Sequence, residues 1–177
     1  MKDIITGYHT LENRGNAEKI ELDGPVPAKK LEKAWLGPGY YFWDRDIDWA
    51  HFWGMSLYGV RYYIFKAELI FDSMCFDLHG NPEHKKILAE AIEEIRQKPH
   101  LIGNKKITLP KVIEYLKRYA DLELDFDCAR ISHFPKDLKT LDVGGLRGEF
   151  IYLNDPIQIC LFNLKRFDGE NFALYYE

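Results

Sequence analysis

Four residues, far apart in the chain, have the chemistry to grip and polarise a small ligand. His9 lies in the run Gly7-Tyr8-His9-Thr10, and a histidine at a strand end can exchange hydrogen bonds with a sugar hydroxyl. Tyr41 lies in Leu36-Gly37-Pro38-Gly39-Tyr40-Tyr41-Phe42-Trp43, where two glycines bracket a proline ahead of four aromatics. A tyrosine delivered by such a turn offers a flat face, on which a cationic ring gains dispersion and cation–π attraction. Near the C-terminus, two strand-like segments open on polar groups: Glu149 before Phe150-Ile151-Tyr152-Leu153, and Gln158 before Ile159-Cys160-Leu161-Phe162. A carboxylate carries a full negative charge, whereas a glutamine donates and accepts hydrogen bonds without charge. Singly, each is commonplace. Strand-end histidines are satisfied by their surroundings, glycines before a strand permit tight turns, and strand-leading Glu or Gln is usually solvated. Their order along the chain is what makes them informative together.

The elements that must position these residues follow from periodicity. Residues 3–10 read as a strand and 13–22 as a short helix, followed by the turn Asp23-Gly24-Pro25-Val26-Pro27. Residues 40–43 read as a short strand and 47–58 as a helix. Residues 60–71, rich in Tyr, Ile, Phe and Val, form the strongest strand pattern, and 75–78 a further short one. Asn81-Pro82-Glu83 is a helix start, with a capping Asn, Pro in the first turn and an acid after it. Leu88, Ala91, Ile92 and Ile95 then recur at helical spacing. Thr108-Leu109-Pro110 opens a second helix with Val112, Ile113, Leu116 and Tyr119 on one face. This helical pair is too short to bury a core alone, so residues 81–120 form an inserted layer within a single domain spanning 1–177. Strands follow at 127–132, 149–153 and 157–162, and Gly144-Gly145-Leu146-Arg147-Gly148 is a turn-rich loop.

Composition narrows the function classes. The chain has 177 residues, 46% of them hydrophobic, which suffices for one ordinary core. The net charge of −4 argues against a broad phosphate-binding face. The cluster Arg96, Lys98, Lys105, Lys106 and Lys111 reads as a solvated basic surface. Three widely spaced cysteines, Cys75, Cys128 and Cys160, suggest no disulfide framework and a reducing, cytoplasmic home. No apolar run approaches a membrane span, and the N-terminus lacks a signal-peptide pattern. Cys75, Asp77, His79 and His84 fit no zinc spacing, so no metal is expected, and a Cys128–His133 nucleophile pair has no further support.

Tyr8-His9-Thr10 followed by Gly37-Pro38-Gly39-Tyr40-Tyr41-Phe42 resembles the ADP-ribosyltransferase superfamily, in the His–Tyr–Glu branch of diphtheria toxin and the poly(ADP-ribose) polymerases. The resemblance covers residues 4–71 and 127–167. It implies an α+β fold of two small, mainly antiparallel sheets packed face to face, with NAD as co-substrate in the cleft between them. It also implies that His9 holds the NAD ribose, Tyr41 and Phe52 stack on nicotinamide, and Thr10 and Gly39 lie against the cofactor. Thr10 stands where the family has glycine, and that residue's backbone recognises the nicotinamide amide. For the third catalytic place, position favours Gln158 and chemical type favours Glu149, and both stay open here. The activity implied is transfer of ADP-ribose to an acceptor, more readily a protein than a nucleic acid. With water as acceptor the same site is an NAD glycohydrolase. A toxin or phage-defence role fits the resemblance, with an antitoxin or immunity protein as partner. A site without turnover would be an NAD, ADP-ribose or protein-binding module, and an unrelated α+β interaction protein is the third reading.

Overall fold

The computed structural model describes residues 2–28, 34–103, 105–119, 126–132, 140–142, 150–152 and 155–177. Glu149, His133 and the 144–148 loop lie outside the described residues. The chain is α+β, and seven strands join in one sheet of order β4-β5-β8-β2-β1-β3-β9. These are β1 (Asp3–Glu12), β2 (Tyr40–Asp44), β3 (Tyr62–Phe71), β4 (Cys75–Asp77), β5 (Cys128–Ser132), β8 (Ile157–Leu161) and β9 (Phe167–Tyr176). A second, two-stranded pair consists of β6 (Thr140–Asp142) and β7 (Phe150–Tyr152).

The two facing sheets expected from the sequence thus become one sheet, but one with a narrow seam. β1 runs against β3 over its full length, from Asp3↔Phe71 to Glu12↔Tyr62. Against β2 it pairs only at Gly7↔Asp44 and Tyr8↔Trp43, beside an Arg45 N–H bond to the Thr6 carbonyl at 2.8 Å. Beyond Tyr8 the strands part. β1 stays with β3, while β2 stays with β8 from Trp43↔Gln158 to Tyr40↔Leu161. Every strand of the sheet sends residues into one shared core, including Ile5, Phe42, Phe65, Cys75, Cys128, Ile159 and Phe172. The sheet therefore curls about the seam so that its two halves enclose that core. Gly7 makes the curl possible, since a Cβ there would stand 2.8 Å from Leu69 and 3.0 Å from Phe42.

Helices cover the opposite face. α2 (Ile47–Tyr58) starts at Asp46, whose carboxylate accepts from the Asp48 and Trp49 N–H groups, and it ends at Gly59 with φ 64°. It packs over Trp43, Tyr62 and Ile64. α3 (Pro82–Gln97) is capped by the Asn81 side chain, as its sequence predicts. With α4 (Leu109–Tyr119) it buries Ala91, Ile95, Val112 and Leu116 against Phe76, Ala129 and Cys160. This layer is the crossover that lets β4 and β5 run parallel, because parallel neighbours cannot be joined by a tight turn. α1 (Ala17–Asp23) closes the shared core with Ile20. The three cysteines are buried and unbridged. Among the described residues no helix is long and apolar enough to cross a membrane.

Two strands escape the sequence patterns. β6 is only three residues long, and β9 is interrupted by Asp168-Gly169-Glu170, which reads as a turn. Register shifts in the β3–β9 ladder absorb that polar stretch and carry the strand on to Tyr176.

Candidate functional site

A cleft of about 460 Å³ opens where β1 and β2 diverge. Tyr41 and Trp43 lie two apart on β2 and so share a face. Gln158, cross-strand partner of Trp43, shares that face too. All three line the cleft, as do His9 and Thr10 from β1 and Trp53, Leu57 and Tyr58 from α2. Sequence-distant Gln158 and Tyr41 meet because β8, β2 and β1 are consecutive in the sheet.

His9 is the fastening at the point of divergence. Its ring is 3% exposed. Nε2 accepts the Val26 N–H at 3.2 Å, so Nδ1 carries the proton and donates to the Tyr41 carbonyl at 2.7 Å. Burial holds the imidazole down to about 4, which keeps it neutral and leaves Nε2 an acceptor for the Val26 N–H. The Tyr41 carbonyl is where a continued ladder would put the Thr10 amide. Strand alternation, counted from the Thr6 bond to Arg45, directs the Thr10 backbone N–H and C=O into the gap. The Thr10 hydroxyl turns away and donates to the Ala50 carbonyl at 3.1 Å, tying β1 to α2.

Tyr41 is fixed at its phenol end. The hydroxyl accepts the Leu36 N–H at 2.9 Å and donates to the Gly37 carbonyl at 2.7 Å. Burial pushes this phenol well above its ordinary range, so it stays protonated. The same turn holds Trp35, whose indole N–H donates to Gln158 Oε1 at 2.6 Å. Gln158 is 3% exposed, and its Nε2 has no hydrogen-bond partner among the described residues.

Two residues expected at the cofactor lie outside the lining of the cleft. Phe52 does not line the cleft: it is 57% exposed, with its ring edge-on to Trp49 at 5.4 Å. Trp53, the next residue, supplies the wall. Helical spacing from buried Ala50 to Trp53 and Leu57 was the signal that could have found it. Gly39 is buried behind the wall rather than in it. A Cβ there would sit 2.5 Å from the Leu161 carbonyl oxygen and 2.6 Å from Cys160 Sγ, so the bare glycine lets β2 close against β8. Sequence reasoning also missed Trp43, Arg14 and Asn16 as lining residues. Arg14 is the cation among the described lining residues, and it pairs with Glu12 at 2.6 Å in a solvent-exposed contact.

Among the described residues no group of three His, Cys, Asp or Glu side chains could hold a metal ion. His84 Nδ1 accepts the Asp77 N–H, while His79 Nδ1 bonds the Ser132 hydroxyl. The cleft can thus offer aromatic faces, strand backbone beyond the last β1–β2 pair, a neutral imidazole and an uncharged amide. No protein-family model, curated protein or solved structure matches the chain.

Proposed function

We propose that the cleft binds NAD and that the protein is an NAD-dependent ADP-ribosyltransferase. The observation that carries this reading is the adjacency of β8, β2 and β1, which gathers Gln158, Tyr41, Thr10 and His9 around one opening. Tyr41, Trp43 and Trp53 supply faces for the flat, cationic nicotinamide ring, with Trp53 in the role first expected of Phe52. The Thr10 backbone offers one donor and one acceptor, which matches the nicotinamide carboxamide. His9 Nε2 accepts a ribose hydroxyl in exchange for the Val26 N–H. The carbon–nitrogen bond between ribose and nicotinamide breaks, and its electron pair neutralises the departing ring. The acceptor's lone pair closes on the ribose carbon, and its proton leaves to solvent. Alignment of acceptor and cofactor dominates such a reaction. Gln158 lies beside the developing cation and stabilises it with an amide dipole, less strongly than a carboxylate would. With water as acceptor the reaction is NAD hydrolysis.

One observation favours a second reading, a binding module of the same architecture without turnover. The Gln158 oxygen is already engaged by the Trp35 indole, which leaves the position neutral and partly occupied. The test is nicotinamide release from NAD by the purified protein, with cell extract as acceptor, beside Tyr41→Ala, Gln158→Ala and Glu149→Ala. Release abolished by Tyr41→Ala supports the transferase, and whichever other variant fails identifies the third catalytic residue. NAD binding without release supports the module, and no binding ends both readings.

A further inference from the structure

Gln158 reaches the cleft in a fixed orientation, and the group that fixes it lies outside the cleft wall. Its backbone is held on both sides, by Trp43 of β2 and Ile131 of β5. Its side chain is buried, and Oε1 accepts the Trp35 indole N–H at 2.6 Å. An indole nitrogen only donates, so the amide oxygen, and not the amine, must face Trp35. Trp35 is held in turn. It is a central residue of a turn closed by the Gly37 N–H on the Ala34 carbonyl at 2.8 Å. The Tyr41 hydroxyl clasps the same turn, accepting from Leu36 and donating to Gly37. Trp35 is not among the lining residues, whereas Gln158 is. The Gln158 Nε2 makes no hydrogen bond among the described residues. Nor is it one of the described side-chain polar atoms that are both sealed and unbonded, so it opens on the cleft. A donor on a buried side chain that the protein does not satisfy calls for a partner from outside it.

We infer that Trp35 is a positioning residue that turns the Gln158 amine into the cleft, where it donates to a hydroxyl oxygen of the bound ribose. An amide oxygen accepts twice, so the indole does not exhaust Oε1; what Trp35 decides is which way up the amide lies. Without that bond nothing among the described residues separates the two orientations. A donor fixed before the ligand arrives loses little rotamer freedom on binding, which adds affinity without adding a contact. A ribose hydroxyl suits the place, because its oxygen has lone pairs for Nε2 and its proton remains for a second acceptor. The position is thus a donor, where an ionised carboxylate would only accept. This inference rests on the NAD reading of the cleft.

The test measures ADP-ribose binding in a cycle of Trp35→Phe, Gln158→Met and the double variant. Gln158→Met should weaken binding about tenfold, the size of one hydrogen bond. Trp35→Phe should weaken it about threefold or more when Gln158 is present, and no further in the Gln158→Met protein. Nuclear magnetic resonance supplies a second readout. One Gln158 Nε2 proton should move downfield when the wild-type protein is saturated with ADP-ribose, and the move should shrink in Trp35→Phe. This arm leaves Gln158 in place, so it decides the matter even if Gln158→Met unfolds. An equal loss from Trp35→Phe in both backgrounds, or an unmoved amide proton at saturation, overturns the inference and leaves the NAD reading intact. Binding with the expected coupling but without nicotinamide release from NAD keeps the inference and removes the transferase instead. Failure of the wild-type protein to bind ADP-ribose at millimolar concentration overturns both.

Discussion

The two halves of the sheet are built differently. β1, β3 and β9 are ten-residue strands, and the β1–β3 ladder runs unbroken over its whole length. β4, β5, β8 and β2 are three to five residues long and are gathered from positions 40 to 161 of the chain. The long half resembles a scaffold, stabilised by extended pairing and by α2 across its outer face. The short half depends on close backbone approach and on the helical layer behind it. The cleft lies at their seam, where β1 and β2 part after Tyr8. In this fold the cleft arises where the β1–β2 ladder stops, with one buried imidazole bridging the gap to the Tyr41 carbonyl.

The largest expected effect breaks the short half. Gly39→Ala forces a Cβ against the Leu161 carbonyl, which is backbone and yields only if β2 moves away from β8. We expect a loss of about 3 kcal/mol in stability and loss of ligand binding. Denaturant unfolding and calorimetry check this, and full retention of both would refute the close-approach argument.

The next effect tests the seam itself. His9 is neutral in the folded protein, at about 4 against 6.5 when unfolded, because burial opposes its charge. A depressed base contributes stability that is complete above pH 6.5. That stability is lost as pH falls toward 4, where the unfolded chain takes up the proton first. The contribution is of order 3 kcal/mol for a shift of this size. His9→Gln should flatten the stability profile between pH 6.5 and 4. It should also widen the cleft by releasing the Tyr41 carbonyl, seen as weaker ligand binding at pH 7. A profile unchanged by the substitution would place the acid sensitivity elsewhere.

The smallest effect separates the two aromatic neighbours on the scaffold's helix. Phe52→Ala should change stability by no more than about 0.5 kcal/mol and leave ligand affinity intact, as befits an exposed side chain. Trp53→Ala should weaken binding without comparable change in Phe52→Ala. If Phe52→Ala proves the more damaging to binding, α2 presents its other face to the ligand.

Local elements were legible because their causes are local. Asn81-Pro82 starts α3, and the aromatic run at Tyr40 to Trp43 forms β2, each from residues within a few positions. β9 was not read, since Asp168-Gly169-Glu170 looks like a turn until β3 supplies the register that carries it through. Within the site, the residue types of His9, Tyr41 and Gln158 could be picked from sequence. The cleft wall is Trp53 and not the expected Phe52, because a one-residue step on a helix rotates a side chain about 100°.

Composition, caps and periodicity by themselves determined an α+β chain with a helical layer between strand-rich halves, because those signals act over a few residues. Tertiary structure alone decided that β8 lies beside β2, that β1 and β2 part after Tyr8, and that the Asn16 side chain does not cap its helix. Those outcomes depend on which distant strands satisfy one another's hydrogen bonds and which faces bury together. No local pattern encodes that choice, since the same alternation of side chains fits several partners until the shared core selects one.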